Sequence, residues 1–258
     1  MPKISVVVPV LNKKEYLETA LRSIFTQNYP NLEVIIQDGA SSDGTLEIIK
    51  RYAQNYPKVI TWESKKDKGQ TDAINRGLRK AKGEILAFLN ADDIYKEGAL
   101  KKVGEYFKRY RQTLWLAGKG NIIDATGKEL TPWVTKYKNW LLAKNEYRLL
   151  LMTNYLVQPS VFISRQAYKK YGPFTGKKTV MEYDLWLKMG KRQMPKIISS
   201  YLSSFRLGKG SFSATSFKEI LAEDEKVMRK YTDSPILIIA HYLHNIARVA
   251  TLYLLNPS

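Results

Sequence analysis

The chain has 258 residues, 44% hydrophobic and 26% charged, an ordinary globular balance with length for one large domain or two fused lobes. It contains no cysteine, which excludes disulfides and thiolate metal sites. Its 42 Lys and Arg against 24 Asp and Glu give a net charge of +18, an excess that points toward nucleic acid, an anionic membrane surface or phosphorylated substrates.

Residues Ile4 to Val8 form a short apolar run, rich in β-branched side chains and closed by Pro9. They read as a strand buried on both faces. Leu17, Ala20, Leu21, Ile24 and Phe25 recur at spacings of three and four, an amphipathic helix. Glu33 to Gln37 is a second strand, and Leu46, Ile49 and Ala53 mark a second helix. Val59 to Trp62 is a third strand, followed by a helix on Ala73, Ile74, Gly77 and Leu78 and a strand from Glu84 to Leu89. This alternation predicts an α/β fold whose sheet is mostly parallel and flanked by helices on both faces.

After residue 110 the pattern mixes. Residues 111–157 combine strand-like and helical pieces and are rich in Trp, Tyr and Lys. A strand–helix passage follows over 158–190, Ile197 to Phe205 reads as a returning strand, and 216–256 as helix interrupted at Asp233-Ser234-Pro235. The expected organisation is a binding lobe over 1–110, a second lobe of the same domain over 111–213, and a C-terminal helical segment over 214–258. The N-terminus lacks the basic, apolar and small-residue segments of a signal peptide, and no run reaches 18 apolar residues. A cytoplasmic protein is expected, with peripheral contact to a membrane as an option.

In an open parallel sheet, ligands bind beyond the carboxyl ends of the strands, and the polar clusters fall there. They are Pro9-Val10-Leu11-Asn12, then Asp38-Gly39-Ala40-Ser41-Ser42-Asp43-Gly44-Thr45, then Asp67-Lys68-Gly69-Gln70-Thr71-Asp72, then Asn90-Ala91-Asp92-Asp93. Each also has a plain structural use: Asp-Gly pairs suit turns, and Asp92 or Asp93 suits the cap of a helix beginning near Lys96.

Together these segments resemble the family-2 glycosyltransferases, whose fold is called GT-A. Ser5 through Asn12 resembles that family's opening strand, Gln37 through Thr45 its "D-G-S-S-D-G-T" segment, and Asn90-Ala91-Asp92-Asp93 its D-x-D metal motif. Met181-Glu182-Tyr183-Asp184-Leu185-Trp186-Leu187-Lys188 is similar to its "E-D-x-D-L-W-x-R" segment. The resemblance covers about residues 3–207. It implies that a nucleotide diphosphate sugar is the donor. Asp38 would accept from the ring N–H of uracil, and Pro9 and Asn12 would line the base and ribose pocket. Lys68 and Asp72 would lie close to the nucleotide. Asp92 and Asp93 would hold ribose and a Mg²⁺ or Mn²⁺ on the diphosphate, the oxygen ligand set such cations prefer, and are expected to matter for transfer and little for folding.

Two positions depart from the pattern. Asn90 replaces the first acid of the metal motif, which leaves that site one anion poorer. In the acidic segment, one register places the base on Glu182 and the other on Asp184. Either carboxylate could take the acceptor hydroxyl's proton. At helical spacing the two point about 200° apart, and Lys188, four residues after Asp184, is placed to pair with it. Asp184 also suits a helix cap. The resemblance implies inversion at the anomeric carbon without a covalent enzyme intermediate. The two histidines, His241 and His244, both lie in the C-terminal segment, so neither is expected to be the base. The Q-x-x-R-W segment of processive synthases is absent, so one sugar per event is expected, onto a glycan or lipid-linked glycan.

Other classes fit less well. A sugar-phosphate nucleotidyltransferase should open with a glycine-rich phosphate loop, and Ser5 to Asn12 contains no glycine. No helix-turn-helix, zinc or RNP signature supports nucleic acid as a partner. The last helix, Ile236 to Leu255, is apolar around most of its circumference, with His241, His244, Asn245 and Arg248 on one narrow stripe. It either packs on the domain or a second subunit of a homodimer, or lies in an anionic bilayer interface together with Trp133, Lys136, Tyr137, Lys138, Trp140 and Lys144.

Overall fold

The structure, a computed structural model, describes residues 1–176, 180–207 and 214–255, with side chains for all of these except 214–220 and 251–255. The boundary expected between 213 and 214 adjoins residues outside this set, and residue 256 of the expected terminal helix lies outside it.

The first half alternates as expected: β1 (Ile4–Val10), α1 (Lys14–Phe25), β2 (Leu32–Asp38), α2 (Thr45–Asn55), β3 (Ile60–Ser64), α3 (Gln70–Lys80) and β4 (Ile85–Phe88). Every residue of β1 is buried, because β1 lies between β2 and β4 and is parallel to both. Val6 and Val8 face α1 and α2 in one apolar layer. Val7 faces α3 in the other. Proline is tolerated inside this strand because β4 pairing ends at Val7 with Phe88, so the edge toward which the missing Pro9 N–H would point is already free. Gly77 of α3 lies against the methyls of Val7, leaving no space for a Cβ and letting helix and strand approach closely.

The second half resolves into β5 (Ile94–Tyr95), α4 (Ala99–Arg109), β6 (Trp115–Ile123), α5 (Pro132–Lys144), α6 (Tyr147–Met152), β7 (Val161–Ser164), α7 (Arg165–Tyr171), α8 (Met181–Gly190), β8 (Lys196–Arg206), α9 (Ala214–Met228) and α10 (Pro235–Leu255). Among the described residues the strands form one eight-stranded sheet, ordered β3-β2-β1-β4-β7-β6-β8-β5. β7 runs antiparallel to β4 and β6, and β8 parallel to β6. The sheet is therefore mixed, mostly parallel, and continues across residue 110. Its second face is closed by α5 to α8, with Trp115 stacked on Trp186 at 5.6 Å.

α10 departs from the view that a wide apolar arc turns inward. Its polar stripe is the buried side: His241 Nδ1 lies 3.1 and 3.0 Å from the Leu151 and Met152 carbonyls, Asn245 bonds the His241 ring at 2.9 Å, and Arg248 pairs with Asp224 at 2.7 Å. Leu237 and Ile238 pack on the core, while Ile236, Ile239, Tyr242, Leu243 and Ile246 remain exposed.

At the opposite edge of the sheet from the polar loops, Glu33 ties β1, β2 and the α3–β4 turn together. It accepts from Ser5 Oγ at 2.5 Å and Lys82 N at 2.7 Å, and Ser5 Oγ in turn accepts from Gly83 N. Burial raises its carboxyl, but the Lys82 and Ser5 bonds and nearby Lys3 outweigh it, so its pKa lies below the usual value. A carboxylate depressed in the folded state stabilises fully above its unfolded pKa of about 4.3, and that contribution is lost as pH falls through the folded value. Urea melts between about pH 6 and pH 3 should therefore show stability falling at the acid end, and Glu33→Gln should flatten that limb. An identical acid limb in the variant would contradict this role.

Candidate nucleotide-sugar site

The four polar loops meet at the carboxyl edge of β1 to β4. At the end of β2, Asp38 is only 2% exposed. It accepts from the Ser41 backbone N–H and hydroxyl and from Ser64 Oγ at 2.5 Å. The Ser41 N–H is shared between both oxygens, so each oxygen takes two contacts, and the longest, at 3.3 and 3.1 Å, are the two halves of that shared bond. Ser41 Oγ accepts from Asn12 N at 2.8 Å, and Asn12 Oδ1 accepts from Ser42 N at 2.9 Å. Asn12 takes a positive φ of 50°, a conformation Asn tolerates better than most residues. Pro9 is buried one turn of the pleat below. Leu11 is the exposed neighbour, and its Cδ1 would touch a Cβ placed on Gly39.

Asn12 leads directly to Lys13, whose Nζ lies 2.7 Å from Asp92 Oδ2. The two acids of the Asn90–Asp93 loop face different ways. Asp92 keeps 24% of its side chain exposed at the edge. Asp93 is 0% exposed and accepts from Arg206 N at 2.8 Å and Asn90 Nδ2 at 2.9 Å. Burial, then the neighbouring Asp92 charge, pushes the Asp93 carboxyl well up. Neither acid caps a helix, since α4 begins later, after Gly98. Asp93 thus fastens the loop to β8.

Arg206, the last residue of β8, has no signal in the sequence beyond its place after the returning strand. Its Nε donates to the Asp92 carbonyl at 2.8 Å and its Nη1 to the carbonyls of Asp124 and Ala125, with its guanidinium 5.0 Å from the Tyr16 ring. These bonds fix the backbone that presents Asp92.

Lys68 is exposed. Its backbone N–H donates to Asp72 Oδ2 at 3.1 Å, and Asp72 also pairs with Arg76 at 3.2 Å. Asp72 therefore shapes the loop entering α3. Gln70 Nε2 donates to Asn90 Oδ1, and Thr71 Oγ1 contacts Met181 Sδ at 3.1 Å and the Gly176 carbonyl at 3.2 Å. These contacts bring the first turn of α8, which carries Glu182, against the polar loops. Residues 177–179 lie outside the described set.

The two carboxylates of α8 separate. Glu182, half-buried, lies in the first turn at that rim. Asp184 is buried deeper: it accepts from Thr175 Oγ1 and Tyr231 Oη at 3.1 Å each and pairs with Lys230 at 3.3 Å. The expected partner Lys188 instead donates to the Tyr171 carbonyl. Nor does Asp184 cap α8, whose N-cap is Val180. No group of three or more His, Asp or Glu among the described residues forms a metal cage. Asp92 and Asn90 nonetheless supply oxygen donors of the kind Mg²⁺ and Mn²⁺ take, in a loop whose remaining positions a diphosphate could fill.

Residues 5–172 match the family model described as glycosyl transferase family 2. A Campylobacter jejuni GalNAc(5)-diNAcBac-PP-undecaprenol beta-1,3-glucosyltransferase is 32% identical over 56% of this chain and 49% of its own length. The chain thus spans about half of that relative. The fold is similar to the Pyrobaculum calidifontis mannosyltransferase PcManGT in complex with GDP-Man and Mn²⁺, with a TM-score of 0.71 at 20% identity, covering 94% of this chain and 70% of that one. It is also similar to S. aureus TarS 1–349 in complex with UDP-GlcNAc, with a TM-score of 0.62 at 17% identity, covering 89% and 71%.

Proposed function

The chain belongs to glycosyl transferase family 2, and from that premise we propose that it moves one sugar from a UDP-linked donor to a hydroxyl of a lipid-linked glycan, with inversion at the anomeric carbon. The observation that carries this is the unbroken run of contacts along one sheet edge. Asp38 and Asn12 meet through Ser41, Lys13 meets Asp92, and Thr71 meets the turn that holds Glu182.

In this reading Asp38 accepts from the uracil N–H in place of one half of the long, shared Ser41 N–H bond, and Asn12 and Leu11 border the base and ribose. α1, α2 and α3 all begin at this edge, and the partial positive charge of helix N-termini favours phosphate. Lys13 adds a full charge beside Asp92. Asp92, with Asn90 beside it, would hold a Mg²⁺ or Mn²⁺. When bound, the metal would neutralise charge on the leaving diphosphate. Glu182 takes the proton from the acceptor hydroxyl. The freed oxygen attacks the anomeric carbon opposite the nucleotide, the new C–O bond forms as the bond to diphosphate breaks, and the nucleotide leaves as UDP. Asp184, held by Lys230, Tyr231 and Thr175, positions α8.

The relative from C. jejuni supports the acceptor class, since its name specifies a glycan on undecaprenyl diphosphate. The TarS complex supports the uridine nucleotide, and the PcManGT complex supports the divalent metal while leaving GDP as the competitor. The test is release of nucleoside diphosphate from UDP-, GDP- and dTDP-sugars, with acceptor glycans on a lipid diphosphate and free in solution. UDP-sugars with the lipid-linked acceptor should turn over fastest. Faster turnover of GDP-sugars, or indifference to the lipid, would overturn the corresponding part.

A further inference from the structure

Two helices leave a continuous apolar face to solvent. On α10, Ile236, Ile239, Tyr242, Leu243 and Ile246 are each about half exposed or more. On α5, Trp133 is 58% and Trp140 55% exposed, with Tyr137 beside them. The helices meet where the Tyr137 ring lies 5.9 Å from His244. Exposed apolar patches of this kind on a folded protein mark an interaction site.

Charge identifies the occupant. α5 and α10 together contain no Asp or Glu. α5 presents Lys136 and Lys144 among its aromatic rings, with Lys144 Nζ 5.7 Å from the centre of Trp140. The whole chain carries +18, which opposes pairing of two copies through this face and favours an anionic surface. Aliphatic side chains flanked by Trp, Tyr and Lys suit a bilayer interface, where rings settle at headgroup depth and lysines meet anionic lipid. α10 lies along the protein, since His241, Asn245 and Arg248 fasten its inner side. No described helix is long and apolar enough to cross a membrane. We propose that the joint face of α5 and α10 docks on an anionic phospholipid bilayer. The docking does not depend on the acceptor's identity.

The placement connects to the site. The inner side of α10 stacks His241 on Tyr183 at 6.4 Å, and Tyr183 adjoins Glu182. Lys230 and Tyr231, between α9 and α10, hold Asp184 in the same helix. The inner side of α10 is thus packed on α8, the helix that carries Glu182.

Co-sedimentation of the full chain with vesicles tests this, using phosphatidylcholine alone and phosphatidylcholine with equimolar phosphatidylglycerol. The protein should pellet with the anionic vesicles and be released as salt rises, because surface attraction is screened within about 10 Å at 0.1 M. Ile239→Glu with Leu243→Glu should cut partitioning by at least about tenfold, with melting temperature and turnover on a soluble acceptor unchanged. Lys136→Glu with Lys144→Glu should erase the preference for anionic lipid. Undiminished partitioning in both double variants would overturn the proposal. So would a wild-type protein that ignores both vesicles, including one that light scattering shows to be a dimer dissociated by the same substitutions.

Discussion

Glu182→Gln is expected to lower turnover by about 10²- to 10⁴-fold, the usual worth of a positioned general base, while donor affinity and melting temperature stay at wild-type values. The amide keeps the size of the side chain but cannot take a proton. Its place in the first turn of α8, half-buried beside the Thr71 contact, puts it where acceptor and donor would meet. Asp184→Asn should do the reverse. It weakens bonds from Thr175 and Tyr231 and removes the charge facing Lys230, at a cost of about 1–3 kcal/mol. The ion pair itself contributes little of that, since the Lys230 side chain is 55% exposed and screened by water. Turnover, donor affinity and melting temperature measured on both variants decide the assignment. An active Glu182→Gln beside a dead, fully stable Asp184→Asn would exchange the two roles.

The second large effect concerns the neighbouring acids of the Asn90–Asp93 loop. Asp92→Asn should reduce turnover on the order of 10²-fold, comparable to removing one preorganised contact to developing charge, with little change in melting temperature. Asp92 is partly exposed, and its Lys13 partner is 39% exposed, so the fold depends little on that pair. Asp93→Asn should instead cost about 1–3 kcal/mol of stability, because Arg206 N and Asn90 Nδ2 donate to its two different oxygens and an amide turns a donor toward one of them. Excess EDTA should stop wild-type turnover. Full activity in EDTA, or an Asp92→Asn enzyme as fast as wild type, would contradict the metal role.

The parallel half of the sheet was legible because β1 and β2 are buried on both faces and read as unbroken apolar runs, while α1 and α3 show their buried stripes at helical spacing. That the four polar loops lie together at the ends of those strands followed from the sheet's direction; the roles expected of their residues came from the resemblance. The second half was harder because its strands take partners far away in sequence, β7 beside β4 and β6 beside β8. Side-chain partnerships failed for the same reason. Local spacing nominated Lys188 for Asp184, but Lys230, brought by α9 and the turn after it, makes the pair. Adjacent aspartates give no sign of which is turned inward; β8 decides that by presenting the Arg206 N–H to Asp93. α10 inverted the usual expectation because a polar stripe can be buried when backbone carbonyls and a paired charge satisfy it, and apolar side chains are free to remain outside.

Calorimetric titration of UDP into the wild-type chain and into Asp92→Asn, with and without Mn²⁺, tests the central claim most directly. UDP should bind the wild type in the presence of Mn²⁺, more tightly than GDP, with affinity falling sharply when the metal is withheld or Asp92 is replaced. The contradicting result is a wild-type chain, folded by its melting curve, that binds no nucleoside diphosphate under any of these conditions, or binds UDP equally well without Asp92 and without metal.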